Sequence, residues 1–221
     1  MKLNAVISLL IAIVGLPAFA SGSKVGNGGS GVSCPGHHVE LLDLYEIREN
    51  DGFLPMWTIG SMTIEEEIAR YREQLEFILP KNHPFIMNMN ANLDLLLATM
   101  EVVDSPLPKT LDEGFTHVRP ECSLVQIALR GDGIFLGRLQ ITNEFWNSAT
   151  LQERTLLLIH EAAHDWFTEM VPTPADDTKA IRQFVGLLSE GAAYSPKMTA
   201  VLRTIVETSL PVSDDVIRSL R

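Results

Sequence analysis

The 221-residue sequence predicts a single α+β domain, in which a small sheet that contains antiparallel strands precedes one long helix. Three observations favour this fold. Several segments carry apolar residues at helical spacing, and two short apolar segments flank a Gly-Asp-Gly turn. Hydrophobic residues make up 46% of the chain and charged residues 20%, as in globular proteins. The length is sufficient to bury a core without a stabilising metal.

The first 20 residues have the pattern of a secretory signal peptide. Lys2 precedes an apolar run from Ala5 to Leu16, and small residues stand at Ala18 and Ala20. The run is short for a membrane span, which needs about 20 residues. We therefore expect cleavage after Ala20, export to the periplasm or the medium, and no stable membrane anchor after cleavage.

Residues 21–36 are mostly glycine and serine and are expected to form a flexible lead-in. Residues 37–221 are then the single globular domain. The two cysteines, Cys34 and Cys122, are predicted to form a disulfide bond in an oxidising compartment. A Cys34 thiolate bound to a metal as a latency switch is the alternative.

A net charge of −11 disfavours nucleic acid and anionic membranes as partners, because both would be repelled. The sequence does not indicate an oligomeric state.

The first elements are predicted as follows. Residues 39–50 form either a strand or a helix. A helix over residues 64–79 is indicated by one apolar stripe, by a capping box of Thr63 and Glu66, and by Pro80 after its end.

A second amphipathic helix is predicted over residues 90–103. The segments 122–130 and 134–141 then form a β-hairpin around the Gly-Asp-Gly turn. The long helix begins at Leu151, where Thr150 and Glu153 supply another capping box.

That long helix contains "LLLIHEAAHDWF", residues 156–167, with the pattern H-E-x-x-H. At about 100° per residue, His160, Glu161 and His164 fall on one face of an otherwise apolar helix. Two imidazoles four residues apart can bind one Zn²⁺ ion. Zinc lowers the pKa of a water ligand to about 7, and Glu161 stands where a general base would accept the proton of that zinc-activated water.

The motif "HEAAH" after a small sheet resembles the zincin superfamily of metallopeptidases, and the resemblance covers roughly residues 120–195. It implies that His160 and His164 bind zinc, that Glu161 is the catalytic base, and that "IFLGRLQI" borders the substrate cleft. A wider likeness of "GNGG", "ELLDLYE" and "FWNSATLQERTLLLIHE" is to uncharacterised exported bacterial proteins.

The third zinc ligand is left open between two positions. Phe167 and Met170 exclude the metzincin pattern. Asp177, with Asp176 beside it, lies at a distance similar to that of the aspzincin ligand, although an aspartate there also suits a helix N-cap. Glu190 resembles the E-G-x-A ligand of gluzincins, but in a continuous helix it would point away from the buried face.

The sequence therefore predicts an exported zinc-dependent metallopeptidase that hydrolyses peptide or protein substrates with Glu161 as general base. Two alternatives remain: a non-catalytic exported binding protein with a degenerate or structural zincin-like helix, and another metal-assisted hydrolase that acts on the cell envelope.

Overall fold

A computed structural model of the chain describes residues 29–52, 63–109, 118–130, 138–169, 178–191 and 195–220. These residues form a mixed α+β structure, which confirms the predicted fold class at that level. The strands are β1 (Ser30–Ser33), β2 (Glu40–Leu41), β3 (Glu101–Val103), β4 (Ser123–Gln126), β5 (Ala128–Arg130) and β6 (Leu139–Thr142). The helices are α1 (Leu42–Asp51), α2 (Ile64–Ile78), α3 (Pro84–Thr99), α4 (Asn143–Ser148), α5 (Leu151–Glu169), α6 (Lys179–Ser189), α7 (Pro196–Thr208) and α8 (Asp214–Arg218).

The strands make two small sheets of three strands each, in the orders β2-β1-β4 and β3-β6-β5. All pairs are antiparallel except β3 with β6, which is parallel. The predicted pairing of the segments around the Gly-Asp-Gly turn is confirmed for β5 and β6, whereas β4 pairs with β1. The turn itself lies outside the described residues.

Strand β1 corrects the prediction of a flexible lead-in at residues 30–33, whereas residues 21–28 of that segment lie outside the described residues. Its register places Gly31 opposite both Leu41 of β2 and Val125 of β4, so β1 is the central strand of its sheet. The side chain of Val32 is buried against Leu42 and Tyr45. Backbone pairing on both edges outweighs the poor strand propensity of glycine and serine.

The first helices match the sequence in part. The capping box of Thr63 and Glu66 is present at the start of α2. Residues 39–50 form both predicted alternatives, because β2 leads directly into α1. The prediction for residues 90–103 is wrong at both ends. Helix α3 begins at Pro84, which suits a first helical position, and residues 101–103 pair with β6 instead.

Helix α5 is central to the core and packs against α2, α3 and α6. Its capping box is confirmed, since the Thr150 amide donates to Glu153 Oε2 at 2.7 Å and the Glu153 amide donates to Thr150 Oγ1 at 3.2 Å. Edge-to-face contacts of Phe85 with Phe167 and Phe184 tie α3, α5 and α6 together. The helix is therefore anchored near both of its ends.

The predicted disulfide is confirmed: Cys34, just after β1, is bonded to Cys122, just before β4. This bond excludes the alternative of a free Cys34 thiolate. Among the described residues, no helix has the length and apolarity needed to span a membrane. The predicted signal peptide falls outside the described residues.

Candidate functional site

His160, Glu161 and His164 lie in the second half of α5, as the motif predicts, and all three are buried. Their exposed fractions are 3%, 1% and 9%. The sequence predicted one polar face on this helix, and the structure covers that face with α1 and with the residues that lead into β1.

Asp43 of α1 contacts the first histidine. Its Oδ2 atom lies 2.7 Å from His160 Nδ1, and since an ionised carboxylate only accepts, Nδ1 carries the hydrogen. His160 Nε2 is buried and has no hydrogen-bond partner among the described residues. Burial lowers the pKa of His160, but the charge and hydrogen bond of Asp43 outweigh burial and the net pKa is raised. Asp43 thus orients the ring, and in the neutral imidazole Nε2 is the nitrogen that can bind a ligand.

His164, one turn further along α5, has a different environment. Burial, followed by the nearby charge of His160, lowers its pKa to about 4. Its Nε2 atom is also buried without a hydrogen-bond partner among the described residues. A neutral imidazole with an unshared nitrogen is the form that binds a metal ion.

The Glu161 carboxylate meets the backbone of Gly29, whose amide donates to Oε1 at 2.6 Å. Burial raises the pKa of Glu161, and the charge of His160 and the Gly29 hydrogen bond oppose the rise only in part. A Cβ atom on Gly29 would collide with the Leu157 side chain and would lie 3.0 Å from Ala128 Cβ. A side chain at position 29 would therefore require the Leu157 side chain and Ala128 to shift.

A further ion pair holds the motif helix against the second sheet. Arg130 of β5 donates to both carboxylate oxygens of Asp165, at 2.9 Å and 3.0 Å, and also to the Glu161 carbonyl oxygen at 3.3 Å. Asn92 of α3 donates to the Ala162 carbonyl oxygen at 3.0 Å. These contacts fix the position of the turn that carries Glu161 and His164.

The two candidates for the third ligand have different outcomes. Asp177, like Asp176, lies outside the described residues. Thr178 occupies the N-cap of α6, so the alternative role of Asp177 as that N-cap is wrong.

Glu190 follows the end of α6, where Gly191 has a positive φ of 68° and stops the helix. The helix therefore ends before Glu190, as the sequence allowed, and the objection that a continuous helix would turn Glu190 away from the buried face does not apply. The preceding residue, Ser189, accepts a hydrogen bond from Gln152 Nε2 at 3.5 Å, in the first turn of α5. That turn is about 12 Å along the helix axis from His160, at about 1.5 Å per residue. Glu190 Oε1 is buried without a partner among the described residues, and burial raises the Glu190 pKa to about 7.

The donor set fits zinc in part. Two unshared imidazole nitrogens, one oriented by a carboxylate on its other ring nitrogen, match the usual surroundings of histidine zinc ligands. Within the described ranges, however, no three His, Cys, Asp or Glu side chains are grouped closely enough to hold a metal ion. A zinc ion at the two histidines would need a third protein ligand from the remaining residues, among which Asp177 falls.

The sequence alone did not reveal the roles of Asp43, Gly29 and Arg130. Asp43 stands at the centre of "LLDLY", residues 41–45, and a carboxylate flanked by buried apolar residues is the one signal that marks it. Its distance of 117 residues from His160 along the chain hides the pairing.

No protein-family model matches the chain, and the comparisons with curated proteins and with solved structures give no match either.

Proposed function

We propose that the protein is an exported zinc-dependent peptidase, in which His160 and His164 bind the ion and Glu161 is the general base. The observation that carries the proposal is the pair of buried Nε2 atoms on one helix face, of which one is oriented by Asp43. Burying an imidazole nitrogen without a partner costs free energy, and a bound metal ion removes that cost. Asp177 is proposed as the third ligand, because Ser189 holds the Glu190 end of α6 beside the first turn of α5.

The chain's own residues would divide the chemistry as follows. Zinc, when bound, supplies a Lewis acid that polarises a peptide carbonyl and acidifies water. Glu161 accepts a proton from the attacking water and returns it to the leaving amine. Its raised pKa suits this exchange, since a base must hold the proton briefly and then release it. The Gly29 amide keeps Oε1 in place and leaves Oε2 for the water.

The same burial favours a second candidate function, a non-catalytic binding protein in which the motif helix has a structural role. Glu161 is 1% exposed and already accepts the Gly29 amide, as a structural carboxylate would. This alternative predicts no turnover of any peptide, with or without bound zinc.

The test combines metal content with turnover. Mature protein purified without chelators is assayed for zinc per chain and for cleavage of a peptide library, beside Glu161→Gln and His164→Ala. We expect one zinc per chain in the parent and in Glu161→Gln, loss of zinc in His164→Ala, and loss of cleavage in both variants.

Glu144→Gln, which changes an exposed glutamate on the short helix α4, is the matched control and should retain both properties. Cleavage by Glu161→Gln at the parent rate would refute the mechanism. If the parent binds zinc but cleaves no peptide, the result would favour the non-catalytic binding protein.

A further inference from the structure

A cavity of about 530 Å³ lies apart from the histidine motif. It is lined by β1 and the segment that follows it into β2, by α1, by residues 119–122 and by the start of α5, and neither His160 nor His164 lines it. Its apolar wall contains Val32, Leu44 and Tyr45 together with the disulfide bond. Both the volume and the apolar wall are those of a small-molecule site.

The polar wall of this cavity is acidic. Four carboxylates, two guanidinium groups and two histidines line it: Glu40, Glu49, Glu121, Glu153, Arg48, Arg119, His37 and His38. The two arginines are engaged by two of the carboxylates, since Arg48 donates to Glu40 at 2.6 Å and Arg119 donates to Glu49 at 2.6 Å. With neutral histidines, the wall therefore has two more negative than positive charges.

Glu153 carries one of these charges and is the most deeply buried of the four carboxylates. Its side chain is 5% exposed, its Oε2 accepts from the Thr150 amide and hydroxyl, and its Oε1 lies 3.1 Å from His38 Nε2. The amino end of α5 offsets part of its charge. Glu40, which faces the same cavity, has a pKa raised mainly by burial, and the charge of Glu153 adds to the rise. A positive charge inside the cavity would stabilise both carboxylates.

We propose that this cavity binds an organic cation with an apolar body, whose charged group lies near Glu153 and Glu40 and whose body lies against Val32, Leu44 and Tyr45. Such a cation has two sources, a free amine or a basic side chain of a peptide. Glu153 precedes His160 by seven residues, about 10 Å along α5, so the proposal holds whether or not the histidines bind zinc.

The test compares charged and neutral probes of similar shape by titration calorimetry. The free-amine arm uses 4-phenylbutylamine against 4-phenylbutan-1-ol, and the peptide arm uses acetyl-Phe-Lys-amide against acetyl-Phe-norleucine-amide. We expect the cation in at least one arm to bind at least about tenfold more tightly than its neutral counterpart, since an ionic hydrogen bond contributes that much or more. The arm with the tighter cation identifies the source.

The variant Glu153→Gln should abolish this preference. Its matched control is Glu66→Gln, because Glu66 occupies the equivalent capping-box position on α2, where the Thr63 amide donates to it at 2.8 Å, but it is exposed and does not line the cavity. If circular dichroism shows that Glu153→Gln is unfolded, Glu40→Gln supplies the same comparison without touching a helix cap. Equal binding of charged and neutral probes, no binding of any probe at millimolar concentration, or an unchanged preference in the folded variant would overturn the proposal.

Discussion

Replacing Asp43 with asparagine should weaken zinc binding without removing it. The two atoms at issue, Asp43 Oδ2 and His160 Nδ1, are 2.7 Å apart, and the side chains are 2% and 4% exposed. Asparagine has the same shape and can still accept from Nδ1, so the substitution removes the negative charge but keeps a hydrogen bond. Loss of such a supporting carboxylate typically reduces metal affinity 10–100-fold, which is about 1.4–2.8 kcal/mol.

The assay is a competition titration of metal-free protein against a chromophoric zinc chelator at pH 7.5. The matched control is Glu49→Gln, which removes a carboxylate from the same helix α1 where it faces Arg119 rather than His160. We expect the affinity of the control to equal that of the parent. Equal affinity of Asp43→Asn and the parent, with zinc still lost in His164→Ala, would refute the orienting role of Asp43 and leave the zinc site standing.

Three further predictions concern the rest of the molecule. The double variant Cys34→Ser/Cys122→Ser should lose about 2–4 kcal/mol of unfolding free energy, measured in urea, because the disulfide bond joins residues that are 88 positions apart. An unchanged free energy of unfolding would mean that the disulfide bond does not restrain the unfolded chain. Burial raises the pKa of Tyr71 to about 12 from 10, so the stability that its neutral form provides is present below pH 10 and is lost as the pH rises through 12. The loss amounts to about 3 kcal/mol, and the Tyr71→Phe variant should not show it in thermal unfolding at pH 10–12. If both proteins lost stability equally over this range, other groups would be responsible. Asp177→Asn should lower the zinc content of the dialysed protein while Glu190→Gln retains it, and the opposite result would move the third ligand to Glu190.

The sequence predicted correctly those helix starts that depend only on neighbouring residues. The capping boxes at Thr63 and Thr150 define where α2 and α5 begin, because they need only residues within one turn. The prediction of β1 failed for the opposite reason. The segment around Gly31 has little strand propensity of its own, and its pairing partners, Leu41 and Val125, lie 10 and 94 residues further along the chain.

The same distinction applies to the candidate site. Helical spacing was sufficient to place His160, Glu161 and His164 on one face, since all three belong to α5. The contacts that decide their chemistry come from Asp43 and Gly29, which are 117 and 132 residues away along the chain. No periodicity in the sequence connects such residues. The fold brings them together through two hydrogen bonds to α5, one from Gly29 just before β1 and one to Asp43 of α1.

The Gly29 contact bears most directly on whether the motif is catalytic. A general base must exchange protons with a substrate, so one carboxylate oxygen has to be reachable while the other is held. Gly29 holds Oε1 through its amide, and its carbonyl oxygen in turn accepts from the Ile127 and Ala128 amides, both at 3.0 Å. The hydrogen bond from Gly29 would orient Oε2 for catalysis in a peptidase. It would be equally suitable for a structural glutamate. The two functions therefore differ only in the role of Oε2. If the protein is a peptidase, Glu161→Gln should lose turnover and retain zinc. If Glu161 is structural, the parent has no turnover and Glu161→Gln should lose stability.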